Sequence, residues 1–319
     1  MKKTLIVAAV SALAAGSALA QSSVTLYGRL NTTVESQKNI AVIGTQKVLQ
    51  NNASRLGFKG MEDLGGGLKA EFFLEHRFNV DTGTVTGPFW AGDSYVGLSG
   101  GFGSIKAGRL TSAAYYATAD YISYHNHDTG TSEDKLYTYL GQNANSLAYT
   151  TPSIGGLTAE LSVSAAEGPN ANNKVLGLAL NYSMGALGLG FGYEKNDGDK
   201  DSQYAIRANY DIGALTLGGY YQRSEDKGTG GLGKRDAYRL SAMYTVGSSE
   251  FHANYGSADD WSRVRNSDAS QFTLGYNYNL SKRTKLYGFY TTVDNSAVQY
   301  FGFANRKASS VAAGVRHNF

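Results

Sequence analysis

From about residue 145 onward the chain repeats one unit. A strand-like stretch ends in Tyr, a short turn follows, and the next stretch opens on a large apolar residue. The instances are Tyr149-TTPSIGG-Leu157, Tyr182-SMGA-Leu187, Tyr210-DIGA-Leu215, Tyr244-TVGSSE-Phe251 and Tyr278-NLSKRTK-Leu286, spaced Tyr to Tyr by 33, 28, 34 and 34 residues. A steady period of this size marks a repeated supersecondary unit. Inside the units the side chains alternate. Leu187, Leu189, Phe191 and Tyr193 oppose Gly188, Gly190, Gly192 and Glu194, and Tyr238, Leu240, Ala242 and Tyr244 oppose Arg239, Ser241 and Met243. A two-residue beat is that of a strand with one apolar and one polar face.

Such a face is buried either against a second sheet or against lipid. The polar face carries Arg and Glu and few large apolar groups, as a water-filled interior requires. A Tyr beside nearly every short turn reads as an interfacial aromatic girdle. Short turns also alternate with long connections, at Glu194 to Ser202, Arg223 to Arg235, Ala258 to Ser267 and Thr292 to Asn305. These are the marks of an outer-membrane barrel rather than a soluble sandwich. Eight hairpins of about 32 residues fill roughly 258 positions, and eight hairpins make sixteen strands, enough for an aqueous channel. The expected fold is therefore all-β, a sixteen-stranded antiparallel transmembrane barrel in which every backbone group is paired.

The N-terminal third keeps the same beat. Val24, Leu26, Gly28 and Leu30 face one way and Thr25, Tyr27, Arg29 and Asn31 the other; Leu56 and Phe58 oppose Arg55, Gly57 and Lys59. Leu68, Ala70, Phe72 and Leu74 oppose Lys69, Glu71, Phe73, Glu75 and Arg77. The beat stops only over residues 110–144, which hold six tyrosines, two histidines and four acids. A long interruption in a compact fold is usually functional. Its place, between the fifth and sixth strands, makes it the third outer loop, and we expect it to fold inward.

The first twenty residues read as a secretory signal peptide: Lys2 and Lys3, an apolar run from Leu5 to Ala15, and the small-residue site Ala18-Leu19-Ala20. Residues 21–319 are then a single barrel domain. Without Lys2 and Lys3 the formal charge falls from +3 to +1, so no nucleic-acid partner is indicated. Forty glycines, 23 tyrosines, three prolines and no cysteine favour β structure and exclude disulfides. No apolar run after the leader is long enough for a membrane helix.

The chain resembles the Gram-negative general porins of the β-proteobacterial type. The resemblance is carried by SSVTLYGRLNT (22–32), SRLGFKGMEDLGGGLKAEFFLE (54–75), SYVGLSGGFGSIKAGR (94–109), NSLAYTTPSIGGLTAEL (145–161) and GVRHNF (314–319). It implies a sixteen-stranded barrel in the cell outer membrane, usually a homotrimer, with the third loop narrowing the pore. The PEFGG loop motif of enteric porins is absent. Phe319, closing an alternating strand, looks like the address read by the outer-membrane assembly machinery. Outer-membrane lipid and lipopolysaccharide are the expected surroundings.

A constriction acts through charges that face each other across a narrow aqueous gap. Strand parity puts Arg29, Arg55, Lys59 and Arg77 on one wall. Opposite them we expect the loop acids Asp120, Asp128, Glu133 and Asp134. The loop tyrosines Tyr115, Tyr116, Tyr121, Tyr124, Tyr137 and Tyr139 either fix the loop to the wall or form a stacking track for sugars or aromatic acids. Gly228 to Arg235 nearly spells a P-loop, but a strand follows where a helix is required. His125, His127 and Asp128 are too few for a metal site, and Asp197, Asp199 and Asp201 read as a hydrated outer loop. No enzyme, cofactor or metal is indicated. The leading reading is a passive channel for ions and small hydrophilic solutes with a weak anion preference. The alternatives are a porin selective for small organic anions and a surface or adhesive barrel protein.

Overall fold

A computed structural model describes residues 23–319 apart from 86, 123, 125–129, 140–141, 168–173, 199–200, 229 and 296–306. The expected leader, His125, His127, Asp128 and Asp199 lie outside the described residues. Among the described residues, seventeen strand segments form one antiparallel sheet. The first six are β1 (Ser23–Lys38), β2 (Thr45–Asn51), β3 (Arg55–Gly65), β4 (Leu68–Arg77), β5 (Ser94–Gly100) and β6 (Gly103–Thr111). Then come β7 (Gln142–Thr150), β8 (Leu157–Ser164), β9 (Val175–Met184), β10 (Leu187–Asn196), β11 (Ser202–Ile212) and β12 (Leu215–Asp226). The last five are β13 (Gly233–Val246), β14 (Ser249–Ala258), β15 (Ala269–Asn279), β16 (Thr284–Asn295) and β17 (Ala308–Asn318).

Each strand pairs with its sequence neighbour, and β17 returns to β1 with Arg29 opposite Asn318 and Lys38 opposite Ser309. The sheet is thus closed and has no edge. At the seam the backbones of Gly28 and Phe319 exchange hydrogen bonds of 3.0 and 3.1 Å. The Phe319 ring lies over Gly28, where any Cβ would collide with it. The seventeen segments make sixteen barrel strands because β2 and β3 are one strand interrupted. The first half of β1 pairs with β3 and its second half with β2. Between them the register slips by one residue at Asn52, Ala53 and Ser54, and Ala53 takes a φ of 57°. This is a bulge, one unpaired residue that bends the strand.

The two faces are inverted relative to a soluble protein. Val24, Leu26, Val96, Leu161, Ile206, Leu240 and Leu274 are exposed, with Val96 at 62 % and Leu240 at 63 %. The alternate positions carry buried Asn31, Glu35, Gln203, Gln222, Arg239 and Gln271. Apolar groups outward and polar groups inward fit a barrel whose outer solvent is lipid. The short turns after β9, β11 and β13 are two-residue loops opening on Gly185, Gly213 and Gly247, at φ of 58°, 61° and 56°. Such left-handed turns match the natural twist of the paired strands.

At the other rim the strands run further than the sequence implied. β10 continues to Asn196, β12 to Asp226, and β13 already begins at Gly233, so the connections expected from Glu194 and Arg223 shrink to residues 197–201 and 227–232. Beyond the bilayer a strand no longer needs an apolar face, so its charged composition reads as loop.

Candidate functional site

The off-beat segment is narrower than its composition suggested, since β6 runs to Thr111 and β7 begins at Gln142. It contains a one-turn helix, α1 (Ala113–Ala117), and 3-10 turns at Ala119–Tyr121 and Gly130–Ser132. Ser112 caps α1, its Oγ accepting from the Tyr115 amide at 3.1 Å. The buried residues of α1 are all alanine, Ala113, Ala114 and Ala117. They lie on β9 and β10, where small residues meet small. A Cβ on Gly190 would strike the Ala117 carbonyl oxygen, and one on Gly192 would come within 2.6 Å of the Ala114 Cα. Backbone can approach backbone this closely only over glycine.

Further along, polar side chains of the wall hold the segment. The Asp134 carboxylate meets Arg239 at two points, Oδ1 to Nη2 at 2.7 Å and Oδ2 to Nε at 2.8 Å. It also accepts from the Tyr220 hydroxyl at 2.5 Å and the Leu136 amide at 2.9 Å. Burial works to raise its pKa, but the Arg239 charge and these donors outweigh that and hold it below the usual carboxylate range. Gln271 accepts from the Lys135 amide at 3.1 Å and donates to the Glu133 carbonyl at 2.9 Å. Gln222 grips Thr138 in the same two-way fashion at 2.7 and 2.9 Å. Arg235 donates to the Leu136 carbonyl at 2.7 Å, with Trp261 against its guanidinium at 4.6 Å. Near Gly130, Thr131 donates to the buried Glu35 at 2.6 Å. The segment's contacts therefore run from β9 round to β1, all on the polar face of the sheet.

On β1, β3 and β4 three arginines share one row. Arg29 is the register partner of Arg55, and Arg55 of Arg77. Like charges on adjacent strands repel, and Glu75 relieves part of this: it lies 3.7 Å from Arg55 and 3.1 Å from Arg77, and accepts from the Tyr27 hydroxyl at 3.3 Å. One cavity of ≈ 450 Å³ is lined by Arg29, Arg55 and Arg77 together with Asp120, Glu133, Asp134 and four tyrosines.

Three of the expected charges stand differently. Lys59 is four residues beyond Arg55 toward the short turn and sits over the Tyr27 ring at 5.4 Å, beside a separate cavity with Glu71. Asp134 lines the shared cavity, but its carboxylate is taken by Arg239 rather than by the arginine row. Glu133 is paired with Lys135. The anchors Arg239, Gln222, Gln271, Arg235, Tyr220 and Glu35 were not foreseen. Parity put Arg239 on the polar face, yet its partner is 105 residues away in sequence.

A family profile described as Gram-negative porin matches residues 7–298. This chain belongs to the Gram-negative porins. The porin is 33 % identical to outer membrane porin protein 32 of Delftia acidovorans, over the whole of both chains. It is 30 % identical to the major outer membrane protein P.IB of a serogroup A strain of Neisseria meningitidis, over 89 % of this chain and 91 % of that one. Among solved structures it superposes on an anion-selective porin from Comamonas acidovorans with a TM-score of 0.78 at 27 % identity, covering 94 % of this chain and all of the other. Porins are channels rather than enzymes. This one is an outer-membrane protein of the Gram-negative type, and its closed barrel provides passive diffusion for ions and small hydrophilic solutes.

Proposed function

We propose that the described residues between 112 and 139 form the constriction of this channel, that the Arg29, Arg55 and Arg77 row is its opposite wall, and that the gap between them favours anions. The observation that carries this reading is the uneven matching of charge around one cavity. The loop acids Asp134 and Glu133 are neutralised on their own side by Arg239 and Lys135. Arg55 and Arg77 share Glu75, and Asp120 also lines the gap. Among the described charged groups around the cavity the positive ones are in excess, and a narrow aqueous gap of one sign concentrates ions of the other. The relative from Comamonas acidovorans is itself named anion-selective.

The test is the reversal potential of the purified porin in a planar bilayer under a potassium chloride gradient. We expect the sign of anion preference, shifted toward cations by Arg29→Gln, Arg55→Gln and Arg77→Gln. A cation-preferring wild type, or three variants with no shift, removes the row from the constriction. Assembly as a homotrimer, which the family resemblance implies, is tested by cross-linking in native outer membranes.

A further inference from the structure

The cavity between the arginine row and the loop has a second chemistry that charge selection does not use. Its loop side is built of Tyr115, Tyr116, Tyr137 and Tyr139. Two of these act in packing. Tyr137 is buried, edge-on to Tyr220 at 5.5 Å, with its hydroxyl 3.0 Å from that of Thr118. Tyr115 joins the cluster, its centroid 5.9 Å from that of Tyr137 and 5.1 Å from that of Tyr139. Tyr116 and Tyr139 instead leave 44 % of their surface exposed. A ring needed only for packing would be covered as Tyr137 is.

We propose that this cavity is a subsite for aromatic carboxylates, the carboxylate meeting the Arg29, Arg55 and Arg77 row and the ring lying against Tyr116 and Tyr139. The proposal rests on the constriction reading above and adds the class of solute. Guanidinium groups present planar forks that match a carboxylate, and three in one register row offer that match at several positions. Opposite, exposed phenol rings favour offset or edge contacts with another ring. A tyrosine hydroxyl ionises only near pH 10. Both rings therefore stay neutral at physiological pH and do not repel an anion.

The cavity volume falls within the roughly 300–1,000 Å³ of small-molecule sites. An aliphatic anion engages the arginine row alone and a neutral sugar the tyrosines alone, whereas an aromatic acid engages both. Ring contacts of this kind are worth a few-fold to about tenfold in affinity. That is weak enough for a solute to leave, which a conducting site requires.

The experiment measures block of the chloride current through the full porin in a planar bilayer by benzoate, cyclohexanecarboxylate and glucose. Benzoate should reach half-block at a concentration a few-fold to tenfold below that of cyclohexanecarboxylate, with glucose weaker than both. The Tyr116→Phe, Tyr139→Phe double variant, which keeps the rings, should retain the difference. The Tyr116→Leu, Tyr139→Leu double variant should bring the two acids level. Migration of unheated protein on a denaturing gel reports whether each barrel has folded. If the wild type is anion-preferring but benzoate and cyclohexanecarboxylate block alike, or glucose blocks as well as benzoate, this inference is overturned while the charge reading stands. A cation-preferring reversal potential without block by either acid overturns both. Retention of the benzoate advantage in the folded leucine variant removes the two tyrosines from the site.

Discussion

The Asp134 carboxylate and the Arg239 guanidinium form a buried, two-point ion pair at 2.7 and 2.8 Å that fastens the loop to β13. Tyr220 and Gln271 complete it, so that acid and base both find hydrogen-bond partners. Such a pair adds little stability over a well-packed apolar substitute, yet losing one partner leaves a buried charge uncompensated at about 3–5 kcal/mol. Asp134→Asn and Arg239→Gln should each release the loop, seen as larger and noisier single-channel steps. The double variant should recover part of the loss. Additive effects of the two changes would mean that they are not coupled.

The same pair sets a pH window. The folded-state pKa of Asp134 lies below its ordinary value. Its contribution is therefore complete above the usual carboxylate pKa of about 4 and is lost only as pH falls through the lower folded value. Step size and noise should hold constant from pH 7 down to about 4.5, with release of the loop confined to more acid solution. Release near pH 6 would place its control in another group.

Glu75 supplies a variant of opposite sign to those of the arginines. It is buried between Arg55 and Arg77 and is their shared counter-charge. Glu75→Gln keeps its shape and removes its charge, which leaves the row more positive. Reversal potentials should move further toward anions. Destabilisation on the order of 1–3 kcal/mol should follow from the lost charged hydrogen bonds. A shift toward cations would contradict the assignment of the row to the wall.

How much of this was legible depends on range. The alternation along Leu187 to Glu194 is a property of neighbours, so the barrel faces and the positions of Arg29, Arg55 and Arg77 on the polar side could be read directly. That these three fall in one row depends on register, which the bulge at Ala53 helps to set and which no local pattern encodes. From sequence alone, the charge of Asp134 points to the arginine row as its partner. The structure gives it Arg239 instead, through a fold that brings together residues far apart in sequence. Gln222 and Gln271 were silent for another reason: they act on backbone amides and carbonyls, which every residue has.

The glycines of β10 were legible as small residues but not as a seat. Gly190 and Gly192 lie on the polar face beneath α1, where the Ala117 carbonyl and the Ala114 Cα occupy the space a side chain would need. Gly218 plays the same part beneath Ile122, whose Cδ1 would stand 3.0 Å from an added Cβ. Gly190→Val or Gly192→Val should therefore lift α1 while β-branched residues suit the strand itself. The barrel should still fold and resist detergent, and single-channel conductance should rise as the loop leaves its seat. Combined with Asp134→Asn, which frees the other end of the segment, the rise should exceed that of either change alone. Unchanged conductance in folded Gly192→Val protein would show that α1 does not set the width of the channel.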